Sequence, residues 1–343
     1  MREILKNAAQ KIKQIISQGF MNSPEVAHDS IFAQEEPGSA PLWIRMLAPA
    51  TRKLPVGKYS IIQRVRQTRQ KPFVARMPQE LGGYDFRCSL QDNVAAQVLF
   101  AGCYEAQESA FARAVLQPGM TFVDVGANWG FFSFFAAHLV GTKGRIIALE
   151  PDPRIFLRLK ENVRRNSLER QIQLFELAAA DRESSLVLAL QHEEEFHLGT
   201  SRLVQNQGMG PRTCSVSTQP LDKVLDEAGL DCVDLVKIDV EGAEDMVLAG
   251  MEAGLNRHRY RNLILELHPV QLGERNRTIH EVINLLTSKG YKGLGLDHSP
   301  AACRKAGYSP GLHVREFIQP LKAALVDPWP HTVWMAPGQA ALV

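Results

Sequence analysis

From about Phe100 onward, short and almost continuously apolar runs alternate with segments of helical periodicity. That alternation narrows the fold more than any other feature of the chain. Strands are expected from Thr121 to Val125, in "RIIALE" from Arg145, in "IQLFELAA" from Ile172, in "VDLVKIDV" from Val233 and in "NLILELH" from Asn262. Helices are expected from Tyr104 to Leu116, from Phe131 to Val140, in "PRIFLRLKENVRRN" from Pro153, from Ala243 to Leu255 and in "TIHEVINLLTSKG" from Thr278. The last has a capping box, Thr278 with Glu281, and Gly290 stops it. Strands alternating with helices imply an α/β fold, a mostly parallel sheet with helices on both faces. Strands that are apolar throughout fit such a sheet because both of its faces are covered. Ligands of these folds sit at the carboxyl ends of the strands. The residues that follow the apolar runs are therefore the candidates: Asp124 to Gly130, Glu150, Asp181, Asp239 to Glu241, and Glu266 to His268.

The first of these loops reads "TFVDVGANWGFFSFF" from Thr121. A dinucleotide site would show G-x-G-x-x-G, and a P-loop would follow its last glycine with lysine and a hydroxyl residue. Here Gly126, Ala127, Asn128, Trp129 and Gly130 lead straight into Phe131 and Phe132, and no lysine or arginine enters the loop. A diphosphate therefore loses its support. The glycines let backbone pass close to a neutral or cationic ligand, and Asp124 supplies a carboxylate that suits an ammonium group. Glu150, 26 positions after Asp124, ends the next strand. An acid there is placed to accept hydrogen bonds from both ribose hydroxyls. A nucleoside with an amino-acid-like tail and no diphosphate answers this description, and S-adenosylmethionine fits it. Trp129 and the phenylalanines behind it read as core packing.

Composition bounds the rest. Of 343 residues, 45% are hydrophobic and 22% charged, with a net charge of +2, which describes a globular chain and announces no nucleic-acid binder. Its five cysteines, Cys88, Cys103, Cys214, Cys232 and Cys303, form no C-x-x-C pair, so a reducing, cytoplasmic setting is expected. Lys6, Lys11 and Lys13 break up any signal-peptide core, while Ile4, Leu5, Ala8, Ile12, Ile15 and Ile16 recur at helical spacing. That helix could pack on its own domain, lie on a membrane surface or pair with a second copy. Residues 21 to 42 look like a linker. From Arg45 to Arg76 there are bases, among them Arg52, Lys53, Lys58, Arg64, Arg66, Arg69 and Lys71, and no acid. Such a run is either a solvated face or an attractor of an anionic ligand.

The segments "FVDVGANWGFFS", "ALEPDP", "LVKIDVEGAEDMVLAGM" and "LILELH", with "KIDVEGAE" the most specific, together resemble the FkbM family of S-adenosylmethionine-dependent methyltransferases. The likeness covers roughly residues 84 to 297. It implies a Rossmann-like class I methyltransferase sheet over residues 81–343, with an insertion at about 298–330 and an N-terminal extension at 1–80. It also implies that Asp124, Gly126, Ala127, Asn128 and Gly130 surround the methionine part of the cofactor, with Glu105 approaching that end. Glu150 would then take the ribose and Asp181 would lie near the adenine amino group. Members of the family, in bacteria especially, mostly methylate hydroxyl oxygens of sugars and small natural products. The implied acceptor is thus a small molecule or glycan with a free hydroxyl.

The chemistry asks little of the protein beyond alignment, exclusion of water and a home for the acceptor's proton. Asp239 and Glu241 follow the fourth strand and can face the transferred methyl, with Asp239 also near the cofactor. Both could instead cap the helix that begins near Gly242. Lys237, two residues before Asp239, lies on the same strand face and can pair with a carboxylate. Glu266 and His268 share one face at the end of the fifth strand. His268 is the expected general base, since an imidazole titrates at about 6.5; Asp239 is the alternative. Oxygen and imidazole ligands on Asp239, Glu241, Glu266 and His268 would suit a divalent metal, but nothing in their spacing demands one and none is assigned. A nucleic-acid methyltransferase is disfavoured, because acidic residues stand where an N-P-P-aromatic motif belongs. An oxidoreductase lacks its G-x-G. An N-methyltransferase, or a non-catalytic or membrane-associated protein on the same fold, is the remaining alternative.

Overall fold

The computed structural model describes residues 37–68, 71–190, 202–204, 213–309 and 311–339. The helix expected at residues 1–20, most of the expected linker, Arg69 and nearly all of the loop 191–212 lie outside these. The strands, in chain order, are β1 (Phe73–Arg76), β2 (Asp85–Cys88), β3 (Thr121–Val125), β4 (Arg145–Leu149), β5 (Ile172–Phe175), β6 (Ala178–Ala179) and β7 (Ser184–Ala189). They continue with β8 (Arg202–Val204), β9 (Thr213–Gln219), β10 (Leu235–Ile238), β11 (Asn262–Glu266), β12 (Lys292–Leu296), β13 (Ile318–Gln319) and β14 (His331–Met335).

Eight of them form one sheet in the order β13-β12-β14-β11-β10-β3-β4-β5. The pairs β10/β11, β10/β3, β3/β4 and β4/β5 are parallel. β14 runs antiparallel to both β11 and β12, so β12 points the same way as the parallel set. From β3 the chain moves outward through β4 and β5 on one side, then returns to place β10 and β11 on the other. The strand order reverses between β3 and β10, and a crevice opens there at the strands' carboxyl ends.

The sheet is buried on both faces, and its side chains alternate between two hydrophobic clusters as strand geometry requires. Phe122, Ile146, Leu235, Ile264 and Val333 join the helices Ala106–Val115 and Phe131–Val140 on one face. Val123, Ile147, Val236, Leu265 and Trp334 join the helices Leu221–Glu227, Glu244–Ala249 and Ile279–Ser288 on the other. The helix Ile279–Ser288 begins with the capping box of Thr278 and Glu281, and Gly290 follows it at φ 82°.

Three local readings needed revision. The third expected strand is broken: β5 stays in the main sheet, while β6 joins a second sheet in the order β6-β9-β7-β8. The helix expected from Ala243 to Leu255 is two short ones, Glu244–Ala249 and Glu252–Asn256, separated at Gly250, where a Cβ would overlap the carbonyl oxygen of Ala180. β12 carries Gly293 and Gly295 and had no apolar signature; the ring of Trp334 occupies the space a side chain at Gly293 would need.

The helices Leu42–Arg52 and Lys58–Arg66 place Ile44, Leu47, Ile61, Ile62 and Val65 in the same cluster as Phe122 and Ile146. Ala302, Ala306, Val314 and Phe317, from the segment after β12, join it too. Several bases of the acid-free run tie these helices down. Arg52 donates to Leu99 O and Lys58 to Gly307 O, while Arg76, in β1, makes a two-pronged pair with Asp85 of β2. No helix among the described residues is long and apolar enough to cross a membrane.

Candidate active site

The loop after β3 is left-handed at three of its five residues, Gly126 (φ 84°), Asn128 (φ 50°) and Gly130 (φ 103°). Glycine and asparagine tolerate that region best, which is why this spacing makes this turn. Gly126 and Ala127 both donate to Leu149 O at the end of β4. Trp129 anchors the loop from below: it stacks on Phe86 at 4.7 Å, lies under the Arg158 guanidinium, and its carbonyl accepts from Asn162 Nδ2. Gly130 leaves no room for a side chain because Leu159 and Phe134 fill the space.

Above this loop is a cleft of about 660 Å³, open to solvent. Gly126, Asn128, Glu150, Asp239 and Glu241 line it, with Leu149, Ile155, Leu177 and Leu188 as apolar walls. Glu150 is buried, and its two oxygens accept separately from Asn128 N at 2.8 Å and Asp152 N at 2.9 Å. Burial lifts its carboxyl to about 8. The apolar walls formed by Leu177, just before β6, and Leu188, within β7, were not anticipated, since that sheet has no strong pattern.

Five expected site residues lie behind this lining. Asp124 is 2% exposed and accepts from Ser133 Oγ at 2.7 Å; burial raises its carboxyl to about 6. Ala127 is buried under the loop, and Gly130 starts the helix Phe131–Val140. Glu105 sits at φ 39° before the helix Ala106–Val115, its Oε2 at 3.4 Å from Lys237 Nζ. His268 is 2% exposed. Asp181 pairs with Arg182 at 2.9 Å and is not part of the lining.

Around Asp239 the tertiary fold gathers a cluster of charges. Lys237 Nζ lies 2.9 Å from Asp239 Oδ2 and over the ring of Phe132. Burial opposes ionisation of Asp239, but Lys237 wins and holds its carboxyl below the usual range. Neither Asp239 nor Glu241 caps a helix. Ala243 precedes the helix Glu244–Ala249, and Glu244 itself accepts from Gly242 N. His268 opens the helix Pro269–Glu274 just after β11, and its Nδ1 lies 2.7 Å from Glu244 Oε1. Its Nε2 faces Glu241 Oε2 at 3.5 Å and Glu266 Oε1 at 3.6 Å. Burial alone would pull the imidazole down, yet the bond to Glu244 and the surrounding carboxylates lift it to about 9. Burial, with Asp239 nearby, raises Glu266 to about 8 and Glu241 to about 7.

Four charged residues near this cluster were missed. Glu244 hides inside an expected helix. His331 opens β14, opposite Glu266 in register, because an antiparallel strand begins where its parallel neighbours end. His331 stacks on His298 at 3.7 Å, and both imidazoles lie 2.7 Å from Glu108 Oε1. Once β14 is known to run backwards, His331 is legible as a residue of the carboxyl edge.

Residues 124–292 match the family model described as Methyltransferase FkbM domain, and residues 53–181 match that of Protein-L-isoaspartate(D-aspartate) O-methyltransferase (PCMT). The chain is 29% identical over 187 residues to the 2-O-methyltransferase NoeI of Sinorhizobium fredii, a span of 50% of this chain and 73% of the relative. It is also 29% identical over 200 residues to the 31-O-demethyl-FK506 methyltransferase FkbM of Streptomyces tacrolimicus, a span of 51% of this chain and 74% of the relative.

Proposed function

Since the chain belongs to the FkbM family of S-adenosylmethionine-dependent methyltransferases, we propose that it methylates a hydroxyl oxygen of a small-molecule or glycan acceptor. Sugars, glycolipid precursors and secondary metabolites are the acceptor classes. One observation carries this reading: Glu150 and the glycine loop share a single cleft with Asp239 and Glu241 at the point where the strand order reverses. Both relatives bear names that put the methyl on an oxygen.

The residues present fit the cofactor. Gly126 lines the cleft, and a Cβ there would overlap the backbone carbonyl oxygen of Asp239, so only bare backbone fits at this point of the lining. Among the described residues, neither lysine nor arginine lines the opening, which suits a ligand without phosphate. S-adenosylmethionine supplies a methyl group on a sulfonium, a leaving group that needs no further activation. Glu150 keeps lone pairs free for ribose hydroxyls beyond the two backbone N–H groups it already accepts. Leu149, Ile155, Leu177 and Leu188 offer apolar surface to a flat base. Buried Asp124 and half-buried Glu105, beside Lys237, add negative charge behind the end meant for the ammonium group.

We assign proton acceptance to Glu241 in preference to His268. Glu241 lines the cleft, and its carboxyl, raised to about 7, is partly ionised at neutral pH. His268 does not line the cleft, and at about 9 it holds a proton when no other cation is near. Asp239, kept ionised by Lys237, holds the floor between them. A cytoplasmic setting belongs to this reading, in keeping with five free thiols. Calorimetry with S-adenosylmethionine and with NAD tests it. Binding of the first alone is expected, whereas tight binding of NAD, or no binding of S-adenosylmethionine, would sink the reading.

A further inference from the structure

His268 is arranged as metal-binding histidines are. Its Nδ1 faces the Glu244 carboxylate at 2.7 Å, and Glu244 is itself held by the Gly242 N–H at 3.0 Å. A proton on Nδ1 leaves Nε2 as a lone pair pointing the other way. The residue is 2% exposed, yet the carboxylate oxygens facing Nε2, Glu241 Oε2 at 3.5 Å and Glu266 Oε1 at 3.6 Å, stand at or beyond the outer limit of a hydrogen bond. One donor atom from each of Asp239, Glu266 and His268 lies within 4.8 Å of the others. Ligands about 2.1 Å from an ion stand roughly 3.0–3.4 Å apart, so small side-chain adjustments close this set around one.

The charge balance points the same way. Glu105, Asp124, Asp239, Glu241, Glu244 and Glu266 crowd around Lys237 and His268, and Lys237 is the one lysine or arginine that pairs with any of them among the described residues. His298 and His331 are committed to Glu108, although His331 Nε2 also comes within 3.8 Å of Glu266. Two of these carboxylates, Asp124 and Glu244, are buried and the other four are largely shielded from water; such an excess is costly unless a cation joins them.

We propose that His268 Nε2, Glu266 and Asp239 ligate a divalent cation, with Glu244 as the carboxylate that orients the histidine. Two carboxylates, one imidazole and open positions suit an ion of the Mg²⁺ or Mn²⁺ kind. The proposal deepens the methyltransferase reading and rests on it for its use. An acceptor hydroxyl bound to the ion would lie beside Glu241 and give up its proton more readily.

The test uses Mn²⁺ alone, titrated into the chelator-treated full chain and followed by calorimetry and by the electron paramagnetic resonance of free Mn²⁺. One ion per chain is expected. His268→Gln and Glu266→Gln should abolish binding, and Glu244→Gln should weaken it about 10- to 100-fold. Each of these variants should keep wild-type circular dichroism and S-adenosylmethionine affinity. Should they fail to fold, imidazole NMR of the wild type decides, since Mn²⁺ should broaden the His268 signals first. No Mn²⁺ binding by the wild type, binding unchanged in both ligand variants, or His268 signals left sharp would overturn the site and make His268 an imidazolium among carboxylates. Loss of S-adenosylmethionine binding would instead sink the methyltransferase reading while leaving the Mn²⁺ result standing.

Discussion

The backbone carbonyl of Asp239 lies where a side chain at Gly126 would have to begin. The two residues follow neighbouring strands, with Val125 and Ile238 in register. The contact joins the cofactor loop to the acidic loop. Gly126→Ala would meet that oxygen and would also have to hold φ 84°. The left-handed conformation alone costs roughly 1–2 kcal/mol. S-adenosylmethionine affinity should fall at least about tenfold by calorimetry, with a lower melting temperature. Wild-type values for both would show that the loops are free to part.

Glu150→Ala removes the acceptor of two backbone N–H groups, from Asn128 and Asp152, as well as the proposed ribose contacts. With the carboxyl raised to about 8 and so mostly protonated at neutral pH, losing one or two neutral hydrogen bonds of about 0.5–1.5 kcal/mol each should weaken S-adenosylmethionine binding by roughly two- to a hundredfold. Glu150→Gln, which keeps one carbonyl oxygen, should fall between. An unchanged dissociation constant in the alanine variant would remove the ribose assignment.

Three carboxyls titrate unusually high: buried Glu150 and half-buried Glu266 at about 8, and half-buried Glu241 at about 7. In the unfolded chain each reverts to about 4.5. The folded protein therefore binds their protons more tightly, and the stability they contribute is complete below about 4.5 and lost as pH rises through about 7 to 8. Asp239 and Glu108 are shifted downward, so their contributions change only at acid pH. Without ligands, the melting temperature should decline between about pH 5 and 8.5 at constant ionic strength, and less steeply in Glu266→Gln. A rising melting temperature across that window would contradict the assignment.

His268 stands at about 9 in spite of its burial, and the hydrogen bond to Glu244 is the leading cause that raises it. Glu244→Gln should return the imidazole toward about 6.5 in an NMR titration. A value still near 9 would shift the cause to Glu241 and Asp239.

Trp129 is 1% exposed, stacked between Phe86 and the Arg158 guanidinium. Trp129→Ala should cost about 3–5 kcal/mol in chemical denaturation. A loss below about 1 kcal/mol would mean that the loop does not depend on this anchor.

Some of this was legible because the signals are local. Thr278, Glu281 and Gly290 declare a helix within thirteen residues, and "TFVDVGANWG" declares a strand, a left-handed turn and a helix start without reference to anything distant. The second sheet and β12 were not legible, since β7 and β9 are half exposed and Gly293 makes room for a Trp334 ring that local periodicity cannot reveal. Asp181 read as a strand-end acid near the base; it follows β6, which belongs to the second sheet, pairs with Arg182 and is not among the residues that line the cleft.

By itself, then, the sequence determined the parallel α/β sheet, the phosphate-free glycine turn and the acids at its strand ends, because burial on both faces, backbone handedness and capping act over a few residues. Only the tertiary structure decided which charges meet. Glu244 reaches His268 across 24 residues and Glu108 reaches His298 across 190, and β14 brings His331 to the same edge by running backwards. Such pairings depend on register and chain crossing, so the chemistry of the cleft appears only when the strands are laid side by side.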